Sequence, residues 1–131
     1  MQWTEPKLLI ADDDRDFRES LGEVFQRRGF STALAADGCE AVELVQASTD
    51  VHLILLDFHM PRLTGLEALQ KIRSIVQVEL PCVLMSAQLN EQIVAEAESL
   101  EISTVLSKPF TLKDITGTVE RLLNDRYGWT S

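Results

Sequence analysis

The stretch Leu53-Ile54-Leu55-Leu56-Asp57-Phe58-His59-Met60-Pro61 sets a single acid at the end of an apolar run and closes it with a proline. A short, wholly aliphatic run suits a strand buried on both faces. Three other runs end the same way, on a polar functional group. Leu8-Leu9-Ile10-Ala11 leads into Asp12-Asp13, Val83-Leu84-Met85 into Ser86, and Thr104-Val105-Leu106-Ser107 into Lys108-Pro109. If these runs are parallel strands, all their terminal groups open onto one edge of one sheet.

The segments between them carry helical periodicity. Phe17, Leu21, Val24 and Phe25 form one stripe, and Ala41, Leu44, Val45 and Ser48 a second. Leu66, Leu69 and Ile72 give a third, Ile93, Val94, Ala97 and Leu100 a fourth, and Ile115, Val119, Leu122 and Leu123 a fifth. Gly29 closes the first helix, and Asp37-Gly38 opens the second after a turn. Strands are expected near 7–11, 31–35, 51–56, 82–86 and 103–107, with Ser31-Thr32-Ala33-Leu34-Ala35 the weakest pattern among them. Strict alternation implies right-handed βαβ crossovers, a parallel sheet and helices on both faces. The arrangement is an α/β, flavodoxin-like doubly wound (βα)5 fold with strand order 2-1-3-4-5, a template applied to this alternation. In that order strands 1 and 3 flank the reversal, and the cleft lies outside their carboxyl ends. Asp12, Asp13 and Asp57 fall there.

Bulk properties narrow the function. The 131 residues suit one domain, 1–131, with its core at about 6–126, and 45% hydrophobic residues can build that core. No apolar stretch reaches the ~20 residues needed to span a bilayer. Met1-Gln2-Trp3-Thr4-Glu5-Pro6 lacks a signal-peptide pattern, so a soluble, cytoplasmic chain is expected. A net charge of -9 argues against direct nucleic-acid binding, because Arg15, Arg18, Arg27 and Arg28 are diluted by acids. Cys39 and Cys82 lack metal-ligand spacing; Cys82 reads as a small core residue, and Cys39 is given no role.

Three carboxylates in one cleft repel one another. At an effective dielectric of about 20, each pair at ~4 Å costs roughly 4 kcal/mol. A divalent cation with oxygen ligands is the natural counter-charge, and Mg²⁺ fits because it leaves positions for phosphate oxygens. A rigidly held Asp57 carboxylate can attack a phosphoryl donor and form an acyl phosphate. Lys108 and the Ser86 hydroxyl are then the expected partners of the phosphoryl oxygens. Asp14 reads as a helix cap and His52 as a structural residue.

These residues and spacings resemble the receiver domain of two-component response regulators, over essentially the whole chain. The resemblance rests on Asp12-Asp13, Asp57-Phe58-His59-Met60-Pro61, Gly65, Ser86-Ala87 and Lys108-Pro109-Phe110, in order and at strand ends. It implies a phosphorylation-dependent switch in which Asp57 is the phosphoacceptor. A sensor histidine kinase or histidine phosphotransfer protein would be the donor. It implies Mg²⁺ held by Asp12, Asp13, Asp57 and the backbone carbonyl of His59, with Ser86 and Lys108 on the phosphoryl group. It also implies a cis Lys108-Pro109 bond and an output face of helix 4, strand 5 and helix 5. That face would act on a downstream protein, an effector domain or a phosphorylation-dependent dimer. Catalysis would extend only to the domain's own phosphorylation and dephosphorylation.

Val105 stands where many relatives carry an aromatic switch residue. The change of state is therefore expected in the backbone near Ser86-Ala87 and helix 4. His59 and Gln88 occupy positions that flank the attacking water in the family, and the His59 ring is expected at the mouth of the pocket. Another function class is a Mg²⁺-dependent aspartyl-phosphate phosphohydrolase, but such enzymes commonly carry a second acid where His59 stands. An FMN binder of similar fold is disfavoured because Asp12-Asp13-Asp14 would repel its phosphate. Trp3 and Trp129 are expected at the sheet edge far from Asp57, either packed there or as terminal residues.

Overall fold

The computed structural model describes residues 5–47, 50–76, 80–102 and 104–130. Strands and helices alternate along it: β1 (Lys7–Ala11), α1 (Arg15–Arg27), β2 (Ser31–Ala35), α2 (Gly38–Ala47), β3 (Leu53–Asp57), α3 (Gly65–Ile75), β4 (Cys82–Ser86), α4 (Glu91–Ser99), β5 (Thr104–Ser107) and α5 (Leu112–Tyr127). The five strands form one parallel sheet in the expected order, β2-β1-β3-β4-β5. Every residue of β3 and β4 is buried, whereas β2 and β5 are mostly half-buried edges. That edge position explains why the apolar pattern of β2 is weak in the sequence.

Side chains alternate across each strand, so each strand feeds two cores. Leu9, Ala11, Ile54, Leu56, Cys82 and Leu84 pack under α2, α3 and α4. Leu8, Ile10, Leu53, Leu55, Val83 and Met85 pack under α1 and α5, with Leu21, Phe25, Ile115, Val119 and Leu123. Fully burying one such side chain stabilises the fold by about 1.5–3 kcal/mol.

The helix ends follow from local chemistry. Asp14 caps α1 by accepting from Phe17 N, and Asp37 accepts from Glu40 N at the start of α2. Thr64 and Glu67 form a reciprocal capping box on α3, as do Thr111 and Asp114 on α5. Gly29, at φ 91°, ends α1; its N–H reaches Gln26 O and Phe30 N reaches Phe25 O.

The third strand begins two residues later than expected and includes Asp57. His52 N donates to Lys7 O, but Lys7 N donates to the His52 Nδ1 ring nitrogen at 2.9 Å, so a side chain stands in for the ladder carbonyl. The expected structural role of His52 holds: Tyr127 Oη donates to its carbonyl at 2.7 Å, and the two rings meet edge to face. Trp129 is packed: it is 6% exposed, lies against Phe30 with ring centroids 5.2 Å apart and belongs to the α1/α5 core. Phe30 leads into β2, so this contact lies at the sheet edge opposite Asp57. Residue 103 of the expected fifth strand, Ser48 of the second stripe and Trp3 lie outside the described residues.

Candidate functional site

The site grows from the twofold alternation of the strands. Asp12 continues the row Leu8, Ile10, and Asp57 continues Leu53, Leu55, so both acids emerge on the α1/α5 side. Lys108 continues from Leu106 on the same side. Ser86 follows Cys82 and Leu84 and belongs to the opposite row. The loop positions Asp13 and His59 complete the rim.

Asp12, Asp13 and Asp57 each offer a carboxylate oxygen, and these atoms lie within 4.8 Å of one another. Asp12 is fully buried and Asp57 is 5% exposed. Lys108 Nζ contacts Asp12 Oδ2 at 2.7 Å and Asp57 Oδ1 at 3.5 Å. One ammonium faces three acids, so negative charge remains in excess. Burial, reinforced by Asp12 and Asp13 and opposed by Lys108, raises the Asp57 carboxyl to about 6. A compact set of oxygen donors with surplus negative charge fits a hard divalent cation.

Backbone contacts hold the acids in place. Asp14 N donates to Asp12 Oδ1 at 2.9 Å, and Arg18 Nη1 donates to Asp12 O at 2.7 Å. Gly65 lets α3 start directly against β3, because a Cβ there would lie 2.5 Å from the Asp57 carbonyl oxygen. Lys108 N donates to Ser86 O at 2.8 Å, tying the last two strand ends together, and the Lys108–Pro109 bond is cis.

The opposite row gives Ser86 different company. Its Oγ lies 3.3 Å from His59 Nε2 and accepts from Gln88 N at 3.1 Å. The His59 ring is exposed and meets Phe58 edge to face. Asp14 caps a helix, as its position suggested. Cys82 is a buried core residue whose thiol is pushed up to about 12 by burial, with Arg73 acting in the opposite direction.

Some contacts had no sequence signal. Phe17 reads as one member of a helix stripe, yet its ring lies under the Lys108 ammonium, 4.1 Å from centroid to Nζ. The Arg18 contact depends on helix 1 rising beside strand 1. Arg62 pairs with Asp37 across the β3–α3 turn, although 25 residues separate them in the chain.

A parallel 2-1-3-4-5 sheet with an acid trio and a lysine at its carboxyl edge defines a class, the phosphoacceptor switch domains. The family model of the response regulator receiver domain matches residues 8–120. The chain belongs to that family, whose members are phosphoryl-accepting signalling domains of two-component systems. It is 31% identical to sporulation initiation phosphotransferase F of Bacillus subtilis, over 89% of this chain and 93% of that protein. Among solved structures it resembles Vibrio cholerae chemotaxis protein CheY4, at 27% identity and TM-score 0.85, covering 91% of this chain and 99% of that one. It also resembles a chain of the CheX–CheY–BeF3–Mg complex of Borrelia burgdorferi, at 26% identity and TM-score 0.82, covering 90% of this chain and 89% of that one. The chain spans about half the length (50%) of other curated response regulators that it matches. No helix among the described residues is long and apolar enough to cross a membrane.

Proposed function

We propose that Asp57 is the phosphoacceptor of a Mg²⁺-dependent switch whose donor is a histidine kinase or a histidine phosphotransfer protein. The observation that carries this reading is a nearly buried carboxylate at the end of β3, with a lysine 3.5 Å away and two further carboxylates in ligating range. An Asp57 Oδ attacks the phosphorus of the donor's phosphoimidazole. An O–P bond forms, the N–P bond breaks, and the imidazole leaves with the electron pair and takes up a proton. With its carboxyl near 6, Asp57 is mostly ionised at neutral pH and competent to attack.

Phosphoryl transfer needs chiefly positioning and charge neutralisation. Asp12, Asp13, Asp57 and the His59 backbone carbonyl are the residues that would hold Mg²⁺. Bound there, the cation supplies electrostatic stabilisation of the phosphoryl oxygens. Lys108 gives a second positive charge at the same place, and its three ammonium protons can serve Asp12 and a phosphoryl oxygen together. The Ser86 hydroxyl is engaged with His59 and Gln88 N, so reaching the phosphoryl group requires the β4–α4 segment to rearrange. That rearrangement would pass to α4, β5 and α5, the face that meets the downstream protein or domain. The Borrelia complex, which contains BeF3 and Mg, supports the choice of that phosphoryl mimic as a probe.

Acetyl phosphate with Mg²⁺ should add one phosphoryl group to the wild type, read as a mass shift. Asp57→Asn should show none, and excess chelator should abolish labelling of the wild type. Equal labelling of Asp57→Asn, or labelling indifferent to chelator, would sink the assignment.

A further inference from the structure

Lysine carries its charge on a flexible four-carbon stem, and an ammonium near a cleft mouth gains hydration by swinging outward. Lys108 is 18% exposed, yet it is directed inward to Asp12 and Asp57. A further contact of its ammonium is aromatic. Its Nζ stands 4.1 Å from the centroid of the Phe17 ring, well inside the ~6 Å range of a cation–π interaction.

The ring is itself held. Its backbone N–H donates to the capping carboxylate of Asp14 at 3.2 Å. Phe110, two residues after Lys108, meets it at 75° with centroids 5.8 Å apart. The loop that carries the lysine thus returns to brace the ring that receives the lysine. The first turn of α1 also fixes one carboxylate partner of Lys108, because Asp14 N and Arg18 hold Asp12. One helical turn therefore positions both the acid and the aromatic face between which the ammonium sits.

We propose that Phe17 is a positioning residue for phosphorylation at Asp57. Its π face keeps the Lys108 ammonium over the acceptor and serves as the surface across which Nζ passes from Asp12 towards an incoming phosphoryl oxygen. The ring presents a whole face within the ~6 Å range of the attraction, whereas Asp12 presents a single oxygen at 2.7 Å. The lysine is thereby retained without being fixed to one carboxylate. This inference rests on the assignment of Asp57 as phosphoacceptor.

The experiment compares Phe17→Leu, Phe17→Met and Phe17→Tyr. Leucine and methionine keep apolar bulk and lose the π face; tyrosine keeps it. Labelling by acetyl phosphate with Mg²⁺ should be roughly 5- to 30-fold slower for the aliphatic variants, the range expected for loss of a partly desolvated cation–π contact. Phe17→Tyr should remain near wild type. In a Lys108→Ala background, Phe17→Leu should have little further effect on the residual rate, because the ammonium it positions is gone. In the unphosphorylated wild type, the Lys108 ε-protons should show an upfield ring-current shift by NMR, and this shift should vanish in Phe17→Leu and Phe17→Met.

Wild-type rates in both aliphatic variants would overturn the proposal. So would an undiminished Phe17→Leu loss in the Lys108→Ala background, which marks a purely structural role. Absence of the ring-current shift in the wild type would also overturn it. A wild type that is never labelled, but retains the ring-current shift, defeats the phosphoacceptor assignment and leaves the ring–ammonium contact established.

Discussion

At the scale of single residues, the site is a balance of like charges held by burial. Asp12 and Asp57 are nearly removed from solvent, Asp13 stands beside them, and Lys108 supplies one compensating charge. The protein keeps this arrangement at a cost in stability when no cation is present. Asp57→Asn removes one charge and keeps the shape of the side chain. In chelator at neutral pH it should therefore stabilise the fold, by about 1–2 kcal/mol after allowance for solvent screening. Thermal unfolding with EDTA measures this, and saturating Mg²⁺ should shrink or reverse the difference. A destabilised Asp57→Asn in EDTA would mean that the acids are not in electrostatic conflict. Much at this scale was legible in the sequence, because Asp12, Asp57, Ser86 and Lys108 each follow an apolar run. The partners of those residues were not legible. Nothing in the spacing of Phe17 or Arg18 tells which strand end lies beside their helix.

At the scale of elements, the strand and helix assignments were readable because the two periodicities differ sharply. The edges were less readable. β2 shows a weak pattern because it is an edge strand, half-buried between α1 on one face and α2 on the other, and the start of β3 is displaced because His52 uses its ring in place of a backbone acceptor. That substitution has a pH consequence. Accepting from Lys7 N requires an unprotonated Nδ1. Burial holds the His52 imidazole below its usual 6.5, and Asp50 opposes this in part. Tyr127 on α5 and Lys7 on β1 also face it.

A histidine lowered in the folded state stays neutral while the unfolded chain takes up a proton. The stability it contributes is present above the unfolded value and is lost as pH falls through the histidine range. The wild type should lose more stability than His52→Gln between pH 7.5 and 5.5, as read by urea unfolding. The comparison cancels the contributions of every ionisable group that the two proteins share. Parallel stability profiles would show that the ring makes no pH-dependent contribution.

At the scale of the whole molecule, the sheet separates a chemical end from a packed end. Trp129 closes the α1/α5 core beside Phe30, and a buried ring there was only one of the outcomes its terminal position allowed. The sheet order was legible because alternation leaves few topologies. The coupling between strand ends was not, because it runs through side chains of opposite rows. Ser86 joins these rows: its hydroxyl meets His59 and Gln88 N on one side, and its carbonyl accepts from Lys108 N. Val105, which stands where an aromatic switch would be, packs against the α2/α3/α4 core. A phosphoryl mimic that draws both Ser86 and Lys108 must then act through the backbone of residues 86–110 rather than through a rotating ring at 105. Beryllofluoride with Mg²⁺ should shift amide resonances most strongly across this segment, beyond the residues lining the pocket itself. The Trp129 indole and Phe30 should move little, since they pack at the sheet edge opposite the site. Replacing Ser86 by alanine should leave the shifts at Asp12, Asp13 and Asp57 and diminish those across α4, because the hydroxyl is the link that leaves His59 and Gln88. Shifts confined to α2, or unchanged α4 shifts in Ser86→Ala, would refute this route.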